Sequence, residues 1–179
     1  MRNVLTIGAG FQVPDGTTVR SILDPQSSLR EGKAVIDDFS LALGEIPPLT
    51  VSRIHLHPIV TQLTWVVKGQ LTVKMKEPVC DTPYTLELNA GEGALTRPDT
   101  FFQLFNSGSV PCQALYFVTP AFIFETDEKG LLVYSDAIVF EESWRELAEC
   151  KWLLAKQTDH KSWQAKRKRI RQAWQEKQV

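Results

Sequence analysis

His55 and His57 are the residues of this chain best spaced to do chemistry together. In an extended strand successive side chains alternate between faces, so in Ile54-His55-Leu56-His57 both rings point the same way, as do Val51 and Arg53. Two imidazoles on one face make a chelating pair, and imidazole suits Zn, Cu, Fe and Ni. The chain has 3 histidines, and this pair accounts for two of them. Arg53 shares their face. A guanidinium there either clamps a carboxylate or phosphate through paired hydrogen bonds or forms an ion pair with a nearby acid.

The pair belongs to a longer pattern. His55, His57, Gln62 and Gly69 follow the spacing HxH-x4-E-x6-G, with Gln62 where the acid stands. Further on, Gly91 to Asn106 reads GEGALTRPDTFFQLFN. Set against G-x5–7-P-x-G-x2-H-x3-N, Gly91 and Pro98 are in place, Thr100 takes the second glycine and Gln103 takes the histidine. Asn106 falls one residue short of its usual spacing. The two stretches resemble the paired motifs of the cupin superfamily. That resemblance implies an all-β protein, a single cupin jelly-roll β-barrel, with a divalent metal (Fe, Ni, Zn or Mn) near one mouth. Carried over position by position, the ligands are His55, His57, Gln62 and Gln103. Cupins commonly use three histidines and a glutamate, so two histidines and two amides leave the metal charge uncompensated. Such a site attracts an anionic small-molecule substrate, oriented by Arg53 in a catalytic role. A metal-free pocket is the competing reading of the same residues. By alternation Thr64 and Val66 share the face of Gln62, while Phe101 and Phe105 share that of Gln103 and are expected to make the pocket apolar.

The elements that must hold these residues are short strands. Apolar or alternating runs recur at Ala34–Leu43, Val51–Leu56, Leu63–Val67, Gln70–Met75, Tyr84–Leu88, Gly93–Thr96, Phe101–Phe105 and Cys112–Val118. Turn signals such as Lys68-Gly69 and Asn106-Ser107-Gly108 separate them, which predicts a sandwich or barrel over residues 1–140. Residues 141–179 read as a helical C-terminal extension. Trp144, Leu147, Ala148, Trp152 and Leu154 recur at helical spacing. A second helix is predicted from about Lys161 to Lys177, with Trp163, Ile170 and Trp174 on one side and a run of Lys and Arg on the other. A stripe of tryptophans predicts packing, against the barrel or another subunit.

Charge divides the same way. Residues 1–159 hold 13 Lys+Arg against 20 Asp+Glu, a net of −7, and residues 160–179 hold 7 against 1, a net of +6. Opposite charges of this size favour contact between the two parts or with a partner. The acidic domain argues against nucleic acid. The 3 cysteines are scattered and odd in number, which argues against a disulfide framework. No long apolar run marks a signal peptide or a membrane span. The expectation is a cytoplasmic protein, paired as a homodimer to cover the apolar sheet faces that single-domain cupins expose.

Three functions fit. One is a metal-dependent enzyme, of isomerase or lyase type, using the metal as a Lewis acid on a small oxygen-rich acid or sugar derivative. A second is an Fe(II)-dependent dioxygenase, although the facial triad's carboxylate is replaced by Gln62. A third is a non-catalytic ligand-binding or regulatory barrel. No inward-facing general base is legible in the sequence, which weakens the first.

Overall fold

The structure, a computed structural model, describes residues 5–13, 15–25, 36, 38–78, 82–129, 131–141, 143–149 and 159–176. Among the described residues thirteen strands lie between Gly10 and Phe140: β1 Gly10–Gln12, β2 Thr18–Leu23, β3 Ser40–Ile46, β4 Ile54–Leu56, β5 Thr61–Lys68, β6 Gln70–Lys76, β7 Tyr84–Asn89, β8 Gly93–Thr96, β9 Phe101–Phe105, β10 Cys112–Thr119, β11 Phe124–Thr126, β12 Leu132–Ser135 and β13 Ile138–Phe140. Two helices follow among the described residues, α1 Trp144–Glu149 and α2 His160–Glu176. All pairings are antiparallel. One six-stranded sheet has the order β1-β2-β3-β10-β5-β8, one five-stranded sheet has the order β13-β4-β9-β6-β7, and β11-β12 form a small third sheet.

The inward side chains of the two large sheets meet in one core. Ile46, Val66, Val73, Met75, Phe102, Leu104, Ala114 and Val118 are buried together there. Each strand contributes alternate residues, as period-2 geometry requires. The hairpin between β5 and β6 turns at Gly69, whose φ is +84°. A Cβ there would lie 3.1 Å from both Cys112 Cα and Pro111 O, so the tight turn excludes a side chain.

The helices pack on the barrel rather than extending from it. α1 covers the outer face of the five-stranded sheet, where Leu147 and Trp144 join Ile54, Leu56, Phe101 and Phe140. α2 docks beside β11 and β12, burying Ile170 and packing Trp163 against Ile123 and Tyr134. Its Arg167 is buried, ion-paired with the fully buried Asp136. The same guanidinium donates to Ala121 O at 2.9 Å, and Tyr134 Oη donates to Asp136 Oδ1 at 2.6 Å. Removing either ion partner would leave a buried charge unpaired, a loss of about 3–5 kcal/mol. The opposite charges of barrel and tail thus meet within the chain, and Arg171 adds a more exposed pair with Asp38.

Most of the expected strands are present with ends moved by a residue or two. The strand expected from Ala34 begins instead at Ser40, and Ala34, Val35 and Asp37 lie outside the described residues. Val51 makes only an isolated bridge to Phe105, ahead of β4. Trp152 and Leu154 also lie outside the described residues, as do Cys80 and Cys150. Among the described residues no helix is long and apolar enough to cross a membrane.

Candidate functional site

β4 and the residues that follow it carry the histidine pair into the interior. His55 and His57 are both buried, with ring centroids 5.5 Å apart. Ile54 and Leu56, which alternate with them in sequence, turn outward to α1. Gln62 and Thr64 of β5 face the same interior, and the Gln62 amide donates to Thr64 Oγ1 at 3.0 Å. That bond leaves the Gln62 carbonyl oxygen as the free acceptor. His55, His57 and Gln62 line a cavity of about 1060 Å³, large enough for a small organic ligand, together with Asp15, Tyr116, Val118 and Phe122.

Gln103 is not in this cavity. In β9 the inward residues are Phe102 and Leu104, both in the core, and Gln103 points out between them. Its amide donates to Ser52 O at 2.8 Å and accepts from Trp144 Nε1 at 2.7 Å. The expected ligand is therefore a docking point for α1. Phe101 and Phe105 share its side of the strand. Phe101 packs with the α1 cluster and Phe105 is half-buried, so neither makes the cavity apolar.

The cause is a one-residue shift in reading the second motif. The positive-φ position of that turn is Asp99 (φ +65°), not Thr100. With Asp99 at the glycine position, two residues intervene before Phe102 and three more before Asn106. The histidine position is Phe102. Counting back from Asn106 also reaches Phe102, which explains why Asn106 looked one residue early. Asn106 is a buried anchor, donating from Nδ2 to Ile46 O (2.9 Å) and Val110 O (2.8 Å) and accepting at Oδ1 from Gly108 N (3.0 Å). Asp99 N donates to His57 O at 2.8 Å, tying the two motif stretches together. Phe102, directly opposite His55 in the sheet, holds its ring 3.9 Å from the His55 ring and edge-on to His57 at 5.2 Å.

The residues present do not fit the usual cupin metal set. One of the three imidazoles is replaced by a phenyl ring and the acid by an amide. Among the described residues no group of three or more His, Cys, Asp and Glu is gathered to hold a metal ion. Arg53 also departs from its expected role. Its side chain is 57% exposed at the rim and pairs with Glu141 at 2.9 Å, the ion-pair alternative to clamping an anion.

One cavity residue was invisible to sequence spacing. Asp15, in the turn between β1 and β2, brings a buried carboxylate to within 3.7 Å of His55 Nε2. No local pattern could have signalled it, because the approach depends on how β1–β2 folds against β4. Tyr116 is likewise buried with no partner for its hydroxyl, and its ring lies directly over Gly44. A Cβ at Gly44 would collide with that ring. Cys112 lies in the core, and burial pushes its thiol up to about 11, so it stays protonated and unreactive.

His57 has an orphaned buried Nδ1 and packs edge-on against Phe122 at 5.5 Å. Burial, with a smaller push from His55, holds its pKa well below the usual 6.5. The unfolded chain therefore takes up this proton at a higher pH than the folded chain does. Stability contributed by a neutral His57 is present above pH 6.5 and is lost as pH falls below it, by up to about 1.4 kcal/mol per pH unit. Calorimetry from neutral to mildly acid pH is expected to show a falling Tm in wild type and a shallower fall in His57→Gln.

The comparisons with known proteins bear on the fold. No family model matches the sequence, and no curated protein matches it. Solved structures do match. An oxalate oxidase in complex with glycolate aligns with a TM-score of 0.53 at 20% identity, over 67% of this chain and 59% of that one. The Drosophila melanogaster CENP-C cupin domain aligns with a TM-score of 0.53 at 14% identity, over 65% of this chain and 75% of that one. CapF, solved with the inhibitor 3-isopropenyl-tropolone, aligns with a TM-score of 0.53 at 12% identity, over 79% of this chain and 36% of that one. The chain thus spans under two thirds of the length of the oxalate oxidase and CapF chains.

The shifted motif makes a direct prediction. Phe102→His, which puts a third imidazole beside His55 and His57, is expected to raise bound Zn or Fe(II) after reconstitution toward about one ion per chain. Gln103→His, facing α1, is expected to leave metal content at the wild-type level; elemental analysis reads both. Two antiparallel sheets around one core agree with these neighbours: the chain has the cupin fold.

Proposed function

We propose that this chain is a ligand-binding cupin-fold protein whose cavity takes a small organic molecule without a conventional metal centre. The observation that carries this reading is Phe102, which fills the third imidazole's place and packs on both remaining histidines. The cavity that is left has apolar walls, including Val19, Val118 and Phe122, and its polar lining includes the buried Asp15, His55, His57, Gln62 and Tyr116. Buried, fixed polar groups beside apolar walls orient a small ligand.

A second reading retains a divalent metal on His55, His57 and Gln62, in an enzyme of Lewis-acid or oxygen-activating type. One observation favours it. His55 Nδ1 is 3.0 Å from Arg53 O, the kind of carbonyl anchor that metal-bound histidines use to aim the other nitrogen. Elemental analysis of protein reconstituted separately with Fe, Ni, Zn and Mn separates the two. The first reading expects far less than one ion per chain, unchanged in His55→Ala and His57→Ala. A stoichiometric ion lost in both variants would establish the second in its place.

We also propose that the chain pairs as a homodimer through the outer face of the six-stranded sheet. Leu41 and Leu43 of β3, Leu115 and Phe117 of β10, Leu63, Trp65 and Val67 of β5 and Leu95 of β8 lie side by side there. Trp65, Val67 and Leu95 are 40%, 49% and 52% exposed. Strands about 4.8 Å apart with outward residues about 6.7 Å apart make this a face of a few hundred Å², the size at which exposed apolar surface marks an interface. A two-fold axis lets such a face meet its own copy. Light scattering is expected to give twice the chain mass, and Trp65→Glu with Leu95→Glu to give the single-chain mass.

A further inference from the structure

Asp15 has one oxygen occupied and one bare. Oδ1 accepts from Thr17 N at 3.0 Å and from Thr17 Oγ1 at 2.8 Å, which builds the β1–β2 turn. Oδ2 makes no hydrogen bond among the described residues; it faces His55 Nε2 across 3.7 Å, too far for one. A carbonyl oxygen only accepts, so the His55 nitrogen near Arg53 O, Nδ1, carries the hydrogen of that contact, and Nε2 is the nitrogen turned to Asp15, an acceptor in the neutral ring. Two acceptors, one of them a carboxylate oxygen, therefore converge on a single gap at the cavity wall. Both residues line the cavity, so a donor carrying positive charge can reach the two atoms together.

The gap is held open by the fold. Asp15 O accepts from Arg53 N at 2.7 Å, which fastens the turn to the chain entering β4. No Lys lines the cavity among the described residues, and its one Arg, Arg53, is paired outward with Glu141. Phe122 adds an aromatic wall.

We infer that the cavity is selective for a small molecule bearing a protonated amine, whose ammonium is shared by Asp15 Oδ2 and His55 Nε2 while its hydrocarbon part lies along Val19, Val118 and Phe122. This rests on the reading of the cavity as a small-molecule site, and it reverses the anionic substrate expected from the sequence. An ammonium supplies hydrogens to both acceptors at once, and it needs no third metal ligand.

The test uses the full-length protein in excess EDTA, so that no metal mediates binding, and calorimetric titration with two matched sets of probes. One set is 2-phenylethylamine, 2-phenylethanol and 3-phenylpropionate; the other is hexylamine, hexanol and hexanoate. In at least one set the amine is expected to bind at least about tenfold tighter than the alcohol, with the acid weakest. Asp15→Asn keeps an oxygen for Thr17 and is expected to erase that preference with the Tm little changed. The wild-type ratio stands as a test even if the variant folds poorly. Equal binding of amine and alcohol, tighter binding of the acid, or an amine preference that survives Asp15→Asn would overturn the inference and leave the cavity as a site for another ligand. No binding by any probe at millimolar concentration would overturn the small-molecule reading and the inference with it.

Discussion

A strand can send only every second side chain inward, and in β9 the inward places go to Phe102 and Leu104. That parity follows from the turn before the strand, where Asp99 takes the positive φ and gives its N–H to His57 O, and from Asn106 after it, buried and bound on both sides. Once both ends are held, the face of every residue between them is decided. Phe102 then lies against the histidine pair, Gln103 is left outside for Trp144, and Phe101 joins the apolar patch that α1 covers. A single register thus shapes the cavity and seats the first helix.

The consequence for chemistry is a change in what the histidines are for. With an imidazole opposite, they would share a metal. With a phenyl ring opposite, His57 is packed between Phe102 and Phe122 and kept neutral. His55 is aimed by a backbone carbonyl at the Asp15 carboxylate. A buried carboxylate in the cavity comes from a turn far from both motif stretches. Arg53, on the expected face, is drawn to the rim by Glu141 at the start of the C-terminal segment.

That segment also shapes the cavity from behind. Arg167 of α2 grips Ala121 O and Asp136, on either side of β11 and β12, while Phe122, next to Ala121, faces His57. The buried ion pair costs desolvation, offset by the further hydrogen bonds from Tyr134 and Ile123 N to the same carboxylate. It fixes where the helix docks, and with it the loop that carries Phe122.

What the sequence determined by itself was local. The HxH strand, the glycine of the β5–β6 turn, the strand-rich barrel and the two helices after Phe140 were legible, because alternation, turn chemistry and helical spacing each act over a few residues. Gln62 was correctly read as inward for the same reason. The face of Gln103 was misread because a one-residue difference in a turn inverts every side chain of the following strand, and only the hydrogen bonds of Asp99 and Asn106 reveal it. Asp15 could not be found at all, since a carboxylate 40 positions before His55 acquires its role only when the β1–β2 turn folds against β4. Tertiary structure decided which groups share the cavity, because burial and charge there depend on distances through space that spacing along the chain does not contain.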